Sequence, residues 1–323
     1  MIDVVALGEL LIDFTCVETS DDGYPTMAAH PGGAPANFLA ALASYGAKAA
    51  LIGKVGDDTF GKALTGTLRN AGIETRGLVV SGDVFTTLAF VTLTGAGERE
   101  FSFARKPGAD TCLSFEEIDL SLIDEAKVFH FGTLSLTDEP ARDATYRAVA
   151  YAKEKGKLIT YDPNLRKPLW KDLEEAKKQL LWGLGQADVV KISEDEVEFL
   201  FGLAPEEGAD YILKHFPVKL VFVTCGGDGC IFKNAKATGK VPTLKDVVRI
   251  DTTGAGDIFG GSALWQILSL GKAPEELDEK ELYRVCAFAC TGAGLSTGRA
   301  GGISSVPTLC EVRAALKKEY GIE

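Results

Sequence analysis

Short, β-branched apolar runs alternate along the chain with longer stretches of helical periodicity. The runs are Val4–Leu7, Val128–Phe131, Leu158–Tyr161, Val189–Ile192 and Leu220–Thr224. The helical patterns are Ala34–Tyr45, Ala141–Lys155, Leu173–Gly185, Glu194–Phe201 and a long one at Glu279–Ser296. This alternation predicts βαβ units and a mainly parallel sheet covered by helices on both faces, an α/β fold. Ligands of such sheets collect outside the carboxyl ends of the strands. Gly8-Glu9 with Asp13, Asp162-Pro163-Asn164 and Lys191-Ile192-Ser193 fall at those ends.

Residues 78–104 break the pattern. Val79-Val80, the near-alternating Thr86–Leu93, a Gly95-Ala96-Gly97 turn and Glu100–Phe103 read as a β-hairpin or small sheet inserted into the core. One buried and one exposed face suit a lid, or a surface through which two copies pair as a homodimer. An extension of the main sheet's edge is less favoured, because antiparallel strands need not be sandwiched between helices. The expected division is an α/β core over 1–14, 31–77 and 105–323, with a β lid over 15–30 and 78–104.

Composition narrows the function. The chain has 323 residues, 46% of them hydrophobic and 25% charged, the makeup of an ordinary globular protein with a large core. A net charge of −12 disfavours nucleic acid and anionic membranes as partners. An anionic ligand therefore needs a local positive site, for which Arg105-Lys106, Arg166-Lys167 and Lys191 are candidates. Seven cysteines without a C-x-x-C pair indicate neither a disulfide framework nor a zinc ribbon, and reduced thiols point to the cytoplasm. Cys286 and Cys290, four apart on an apolar helix, read as buried small hydrophobes. No uninterrupted apolar run reaches the roughly 18 residues of a membrane span.

Chemistry concentrates in Asp251-Thr252-Thr253-Gly254-Ala255-Gly256-Asp257, which reads as a strand turning into a helix. Glycines let a ligand approach the main chain, and the first helical N–H groups, with the helix dipole, attract an anion. Asp257 beside that anion can accept a proton from a hydroxyl nucleophile. A plain strand-to-helix turn with an acidic first residue accounts for the same pattern. Near the amino terminus, His30-Pro31-Gly32-Gly33-Ala34-Pro35-Ala36-Asn37 is a glycine turn feeding a helix. Asn37, expected on the first turn, either caps the helix or, with Asp13, binds a polyhydroxylated ligand.

Together, Gly32-Gly33-x-x-x-Asn37, Asp162-Pro163-Asn164-x-Arg166 and Asp251–Asp257 resemble the ribokinase/PfkB family of sugar kinases over essentially the whole chain. Gly8–Phe14, Gly53–Gly61, Tyr161–Arg166 and Lys191–Glu194 are similar to the fructokinases within it. The resemblance implies a ribokinase-like three-layer core with a small β-sheet lid. It implies Asp257 as general base and the N–H groups of Gly254, Ala255 and Gly256 as an anion hole. Asp13, Gly32, Gly33, Asn37, Arg105 and Arg166 would bind the sugar. Asn164, Lys191, Ser193, Thr224, Gly226 and Gly229 would bind ATP, Glu196 would hold Mg²⁺ through water, and Asp251, Thr253, Gly301 and Ser305 would hold K⁺. Ser193 stands where the family has Asn. Gly226–Gly229 also reads as a hairpin turn between Leu220–Thr224 and Cys230–Phe232. The reaction implied is ATP-dependent phosphorylation of the 6-hydroxyl of D-fructose. 2-Keto-3-deoxygluconate or ribose as acceptor, or a catalytically silent sugar- or nucleotide-binding protein, stays open at this point; two arginines can clamp a carboxylate.

Overall fold

The structure is a computed structural model that describes residues 1–93 and 99–322. Its first half runs β1 (Ile2–Leu7), β2 (Leu11–Thr19), β3 (Pro25–Gly32), α1 (Ala34–Ser44), β4 (Ala49–Gly56), α2 (Thr59–Asn70), β5 (Ile73–Glu74), β6 (Leu78–Ser81), β7 (Leu88–Leu93) and β8 (Arg99–Ala104). There follow α3 (Ser121–Glu125), β9 (Ala126–Gly132), α4 (Ala141–Glu154), β10 (Leu158–Asp162), α5 (Leu173–Leu184), β11 (Val189–Ser193), α6 (Glu194–Phe201) and α7 (Pro205–His215). The chain ends with β12 (Leu220–Thr224), β13 (Cys230–Asn234), β14 (Thr238–Val241), α8 (Ala255–Leu270), α9 (Glu279–Ser296) and α10 (Leu309–Tyr320).

The central sheet has the order β14-β13-β12-β11-β10-β9-β1-β4-β5, with β6 also paired to β4. Its pairings are parallel from β12 through to β5, and antiparallel only at β12–β13–β14. The chain builds outward from β1 to β4 and then returns on the other side at β9. The order therefore reverses between β1 and β9, where such folds open a crevice.

Alternation along β1 shows why its run is continuously apolar. Val5 and Leu7 join a cluster with Ala144 of α4, Leu180 of α5 and Val197 of α6. Val4 and Ala6 face the opposite way, toward Phe38 and Leu64 of α1 and α2. Ile258, Phe288 and Val312 of α8, α9 and α10 extend that second layer. A sheet covered on both faces leaves no position where a polar side chain can reach water.

A second sheet, β3-β2-β7-β8, stands apart. β2–β3 and β7–β8 are antiparallel, and β2–β7 is parallel. Two boundaries differ from the sequence expectation. Leu78–Ser81, expected in the inserted sheet, pairs parallel with Gly53–Gly56 of β4, so the edge extension set aside above holds for this segment. Val79 packs against the main core, which is why its short apolar stretch follows the central sheet. Conversely, Leu11–Phe14 and Pro31-Gly32, expected in the core, are strands of the small sheet. The Gly95-Ala96-Gly97 turn lies outside the described residues.

Candidate active site

Residues 251–257 form the expected turn into a helix. Gly254 is the N-cap of α8 with φ 76°, in the left-handed region. A Cβ there would lie 3.0 Å from the Gly302 Cα and 3.1 Å from Asn37 Nδ2, so two other segments close directly onto this backbone. No side chain caps the helix. The Ala255 N–H donates to the Thr252 carbonyl at 3.3 Å, whereas Gly256 and Asp257 occupy the first turn, where the helix itself offers no acceptor.

Asp257 is buried, and its Oδ2 accepts the Asn37 Nδ2–H at 2.9 Å. Desolvation, aided by the charge of Asp162, raises its carboxyl from the usual value to about 7, against the pull of Lys191, the Asn37 hydrogen bond and Arg166. A carboxylate of that basicity is matched to proton transfer near neutrality. Asn37 is not a cap. Gly33 is the N-cap of α1, without a side-chain cap, and Asn37 lies one residue beyond the first turn. Its Oδ1 is buried without a hydrogen-bond partner.

Two cavities meet at Gly256 of the glycine turn, and Asp257 lines the smaller of them. The smaller, about 170 Å³, is lined by Glu9, Asp13, Gly33, Asn37 and Asp257, with Leu11, Val91 and Phe103 of the small sheet. The larger, about 330 Å³, is lined by Ser193, Thr224, Gly226, Gly229, Ala255 and the carboxylates Glu194, Asp195 and Glu196. Asn164, Arg166, Lys191 and Gly256 line both. Asn164 has φ 43°, the one positive value outside glycine among the described residues, and is pinned by its N–H to Asp162 Oδ1 at 3.1 Å.

The glycine pair serves the smaller cavity by omission. A Cβ on Gly32 would fall 2.0 Å from Asp13 Oδ2, and one on Gly33 (φ 114°) 2.4 Å from the Glu9 carbonyl. Gly33 lines the cavity; Gly32, expected to touch the ligand, instead makes room for Asp13. Burial raises Asp13 to about 6, partly offset by Arg166. Glu9, which the sequence only placed at a strand end, lines the cavity and accepts the Ala34 N–H at 2.7 Å.

Arg105 is a correction. Its guanidinium is committed to Asp110 Oδ2 (2.7 and 2.8 Å), Thr137 Oγ1 (2.8 Å) and the Leu134 carbonyl (2.8 Å). It does not line the smaller cavity, because a buried Asp110 demanded a counter-charge first. Glu196 is a backbone clamp, its two oxygens accepting the Leu165 N–H (2.7 Å) and Ser193 N–H (2.8 Å). Ser193 closes the capping box of α6.

In the distal loop, Asp251 accepts from Thr253 N and Oγ1 (2.9 and 2.7 Å) and from the Gly301 N–H (2.9 Å). Asp251, Thr253 and Gly301 are thus together, while the buried Ser305 hydroxyl donates to the Gly302 carbonyl at 2.7 Å. The sequence had no signal for Cys290 on the larger cavity, since a thiol among apolar helix residues reads as packing.

This is the architecture of a small-molecule kinase of the ribokinase-like fold. Residues 1–309 match the family described as pfkB family carbohydrate kinase, and the chain belongs to that family. It is 45% identical over 320 residues to Fructokinase-1 of Zea mays, covering 98% of each chain. The solved fructokinase of Xylella fastidiosa with bound ATP superposes with a TM-score of 0.90 at 30% identity, covering 99% of both chains. A double mutant of the Vibrio cholerae O395 fructokinase, bound to fructose, ADP and potassium, gives 0.86 at 30% identity over 98% of each chain. The chain is a phosphotransferase acting on a hydroxyl group.

Proposed function

We propose that the chain is an ATP-dependent fructokinase that phosphorylates the 6-hydroxyl of D-fructose. The observation that carries this reading is the buried Asp257, which lines the smaller cavity next to Gly256, where the larger one adjoins it, and is made basic enough to act near neutrality. Fructose occupies the smaller cavity and ATP the larger. The sugar oxygen attacks the γ-phosphorus, the bond from phosphorus to the β,γ-bridging oxygen breaks, ADP leaves, and the hydroxyl proton passes to Asp257. The glycine turn with Gly254, Ala255 and Gly256 receives charge developing on the transferred group.

The smaller cavity favours a neutral polyol. Glu9 and Asp13 line it with acceptors for hydroxyl donors. A sugar acid lacks its clamp, because Arg105 is spent on Asp110 and only Arg166 and Lys191 bring positive charge to this wall. Leu11, Asp13, Val91 and Phe103 come from the small sheet, which supports its use as a lid that excludes water. Its edge strands β3 and β8 also offer a surface for a second copy.

Among the described residues no three acidic, histidine or cysteine side chains form a ready metal cluster, and both Glu196 oxygens accept backbone N–H groups. A Mg²⁺ would be held mainly by nucleotide phosphates and waters, with Glu194 and Asp195 lining the same cavity. Asp251, at the junction of two loops beside the glycine turn, suits K⁺. The described cysteines are all free, which supports a reducing, cytoplasmic setting.

The reading is tested by measuring ADP release with fructose, ribose, 2-keto-3-deoxygluconate and nucleosides as acceptors. Fructose is expected to give the highest kcat/KM; any other acceptor in first place refutes it.

A further inference from the structure

Asp162 and Lys191 form a buried ion pair that the reaction as described does not use. Lys191 Nζ lies 2.9 and 3.1 Å from the two oxygens of Asp162, with the side chains only 12% and 8% exposed. Asp162 ends β10 and Lys191 is the middle residue of the adjacent parallel strand β11, so the sheet itself fixes their spacing. A Cβ on Gly256 would come within 3.0 Å of the Lys191 ammonium, which therefore rests directly against the middle of the glycine turn. Lys191 also lines both cavities.

We infer that the Asp162–Lys191 pair is a positioning device that sets the charge around Asp257 and holds one cation between the base and the transferring phosphoryl group. This deepens the fructokinase reading and rests on Asp257 as its base. Replacing a buried ion pair by apolar groups is often neutral or stabilising, so stability alone gives little reason to keep one here. Its geometry supplies another. Asp162, acting alone, would hold a proton on Asp257 by like-charge repulsion; Lys191, acting alone, would strip it and leave a weak base. Held together, the two charges oppose each other at Asp257. The ammonium nevertheless keeps a face toward Gly256, where charge develops during transfer.

The groups facing Asp257 are few. Asp162 comes from β10, Lys191 from β11, Arg166 from the loop after β10, and the uncharged Asn37 from α1. Glu9 and Asp13 line the same cavity. Desolvation is the largest influence on the carboxyl, with Asp162 next and Lys191 opposed to it. The two partners therefore act with opposite sign, which a merely structural role does not reproduce.

The test is the pH profile of kcat/KM for the sugar at saturating ATP, for three single variants and one double variant, each checked for folding by circular dichroism. Asp162→Asn, which keeps the shape, should move the acid limb down by about one pH unit. Lys191→Gln should move it up by a similar amount, and Lys191→Arg, which keeps the charge, should leave it in place. The double variant Asp162→Asn/Lys191→Gln should return toward the parent limb. Shifts of the same sign in the two single variants, or no shift in either, overturn the inference. Full activity in Asp257→Asn is a separate result that defeats the base assignment itself. If Lys191→Gln fails to fold, the Asp162→Asn limb against that of Lys191→Arg decides the sign on its own.

Discussion

Asn37 and Asp257, 220 residues apart in sequence, share a buried hydrogen bond of 2.9 Å, and the same amide leaves its oxygen without a partner. One side chain thereby does two things. Its N–H stabilises the ionised base, and its oxygen, buried against Gly302, is an unmet acceptor close to the sugar cavity that the residue lines. Asn37→Ala removes both, so sugar KM should rise and kcat fall together, each by about tenfold, given the roughly 1–3 kcal/mol of an unsatisfied buried polar group. Asn37→Asp should be worse, since it sets a second carboxylate against Asp257. Steady-state kinetics and calorimetric titration with fructose check both; an unchanged KM in Asn37→Ala would show that the orphan oxygen does not meet the sugar.

The pH dependence follows from Asp257. Only the carboxylate accepts a proton, and burial with Asp162 nearby raises the group to about 7. The rate should therefore climb with pH through that region and level off above it. Asp257→Asn should abolish the climb and lower kcat about 100- to 10,000-fold while fructose still binds. Rate profiles from pH 5.5 to 9 with the Mg²⁺ and ionic strength fixed provide the measurement.

The same shift has a consequence for stability, with an opposite sense to that of a paired surface acid. Because folding raises the Asp257 pKa from 3.8 to about 7, the buried carboxyl favours the folded state fully below about 3.8. That contribution is lost as pH rises through about 7. Asparagine in its place never ionises and can still accept from Asn37. Asp257→Asn should thus match the parent near pH 4 and melt several degrees higher at pH 8, in thermal unfolding without ligands. A variant less stable at pH 8 would mean that the charge is compensated more fully than its burial implies.

Much of this was legible because local pattern and tertiary environment agree. Leu220–Thr224 and Glu194–Phe201 have the bounds read from sequence, the first because a parallel strand buried on both faces is apolar throughout. The second is bracketed by the Ser193–Glu196 capping box and by Gly202 in the left-handed conformation. The glycine turn carries its chemistry in consecutive residues, so it too can be read locally. What escaped depends on partners distant in the chain. Leu78–Ser81 follows β4 because of an open edge, which its own sequence does not encode. Gly32 looked like a ligand contact because its neighbour is one, although its use is to leave space for Asp13. The pairing of Asp162 with Lys191 exists only once β10 and β11 lie side by side.

Arg105 gives the sharpest contrast between the two levels. Beside a strand end and a proline, it looks like an oxyanion grip, and with Arg166 it would favour a sugar acid. In the fold, its side chain is 2% exposed and makes two contacts with Asp110, whose other carboxylate oxygen takes the Thr87 hydroxyl. It also ties the end of β8, through Thr137 and the Leu134 carbonyl, to the turn after β9. Arg105→Met would strand a buried carboxylate, and breaking such a pair from one side costs about 3–5 kcal/mol. The denaturation midpoint should fall accordingly, while the ratio of kcat/KM for fructose to that for 2-keto-3-deoxygluconate stays within about threefold, because Arg105 does not line the sugar cavity and bears on it only through the Leu134 carbonyl and the charge of Glu9. Restoring neutrality with Arg105→Met/Asp110→Asn should recover part of the stability, because no charge is then left unpaired. If the single substitution left stability intact and changed the acceptor ratio instead, Arg105 would belong to the sugar site after all.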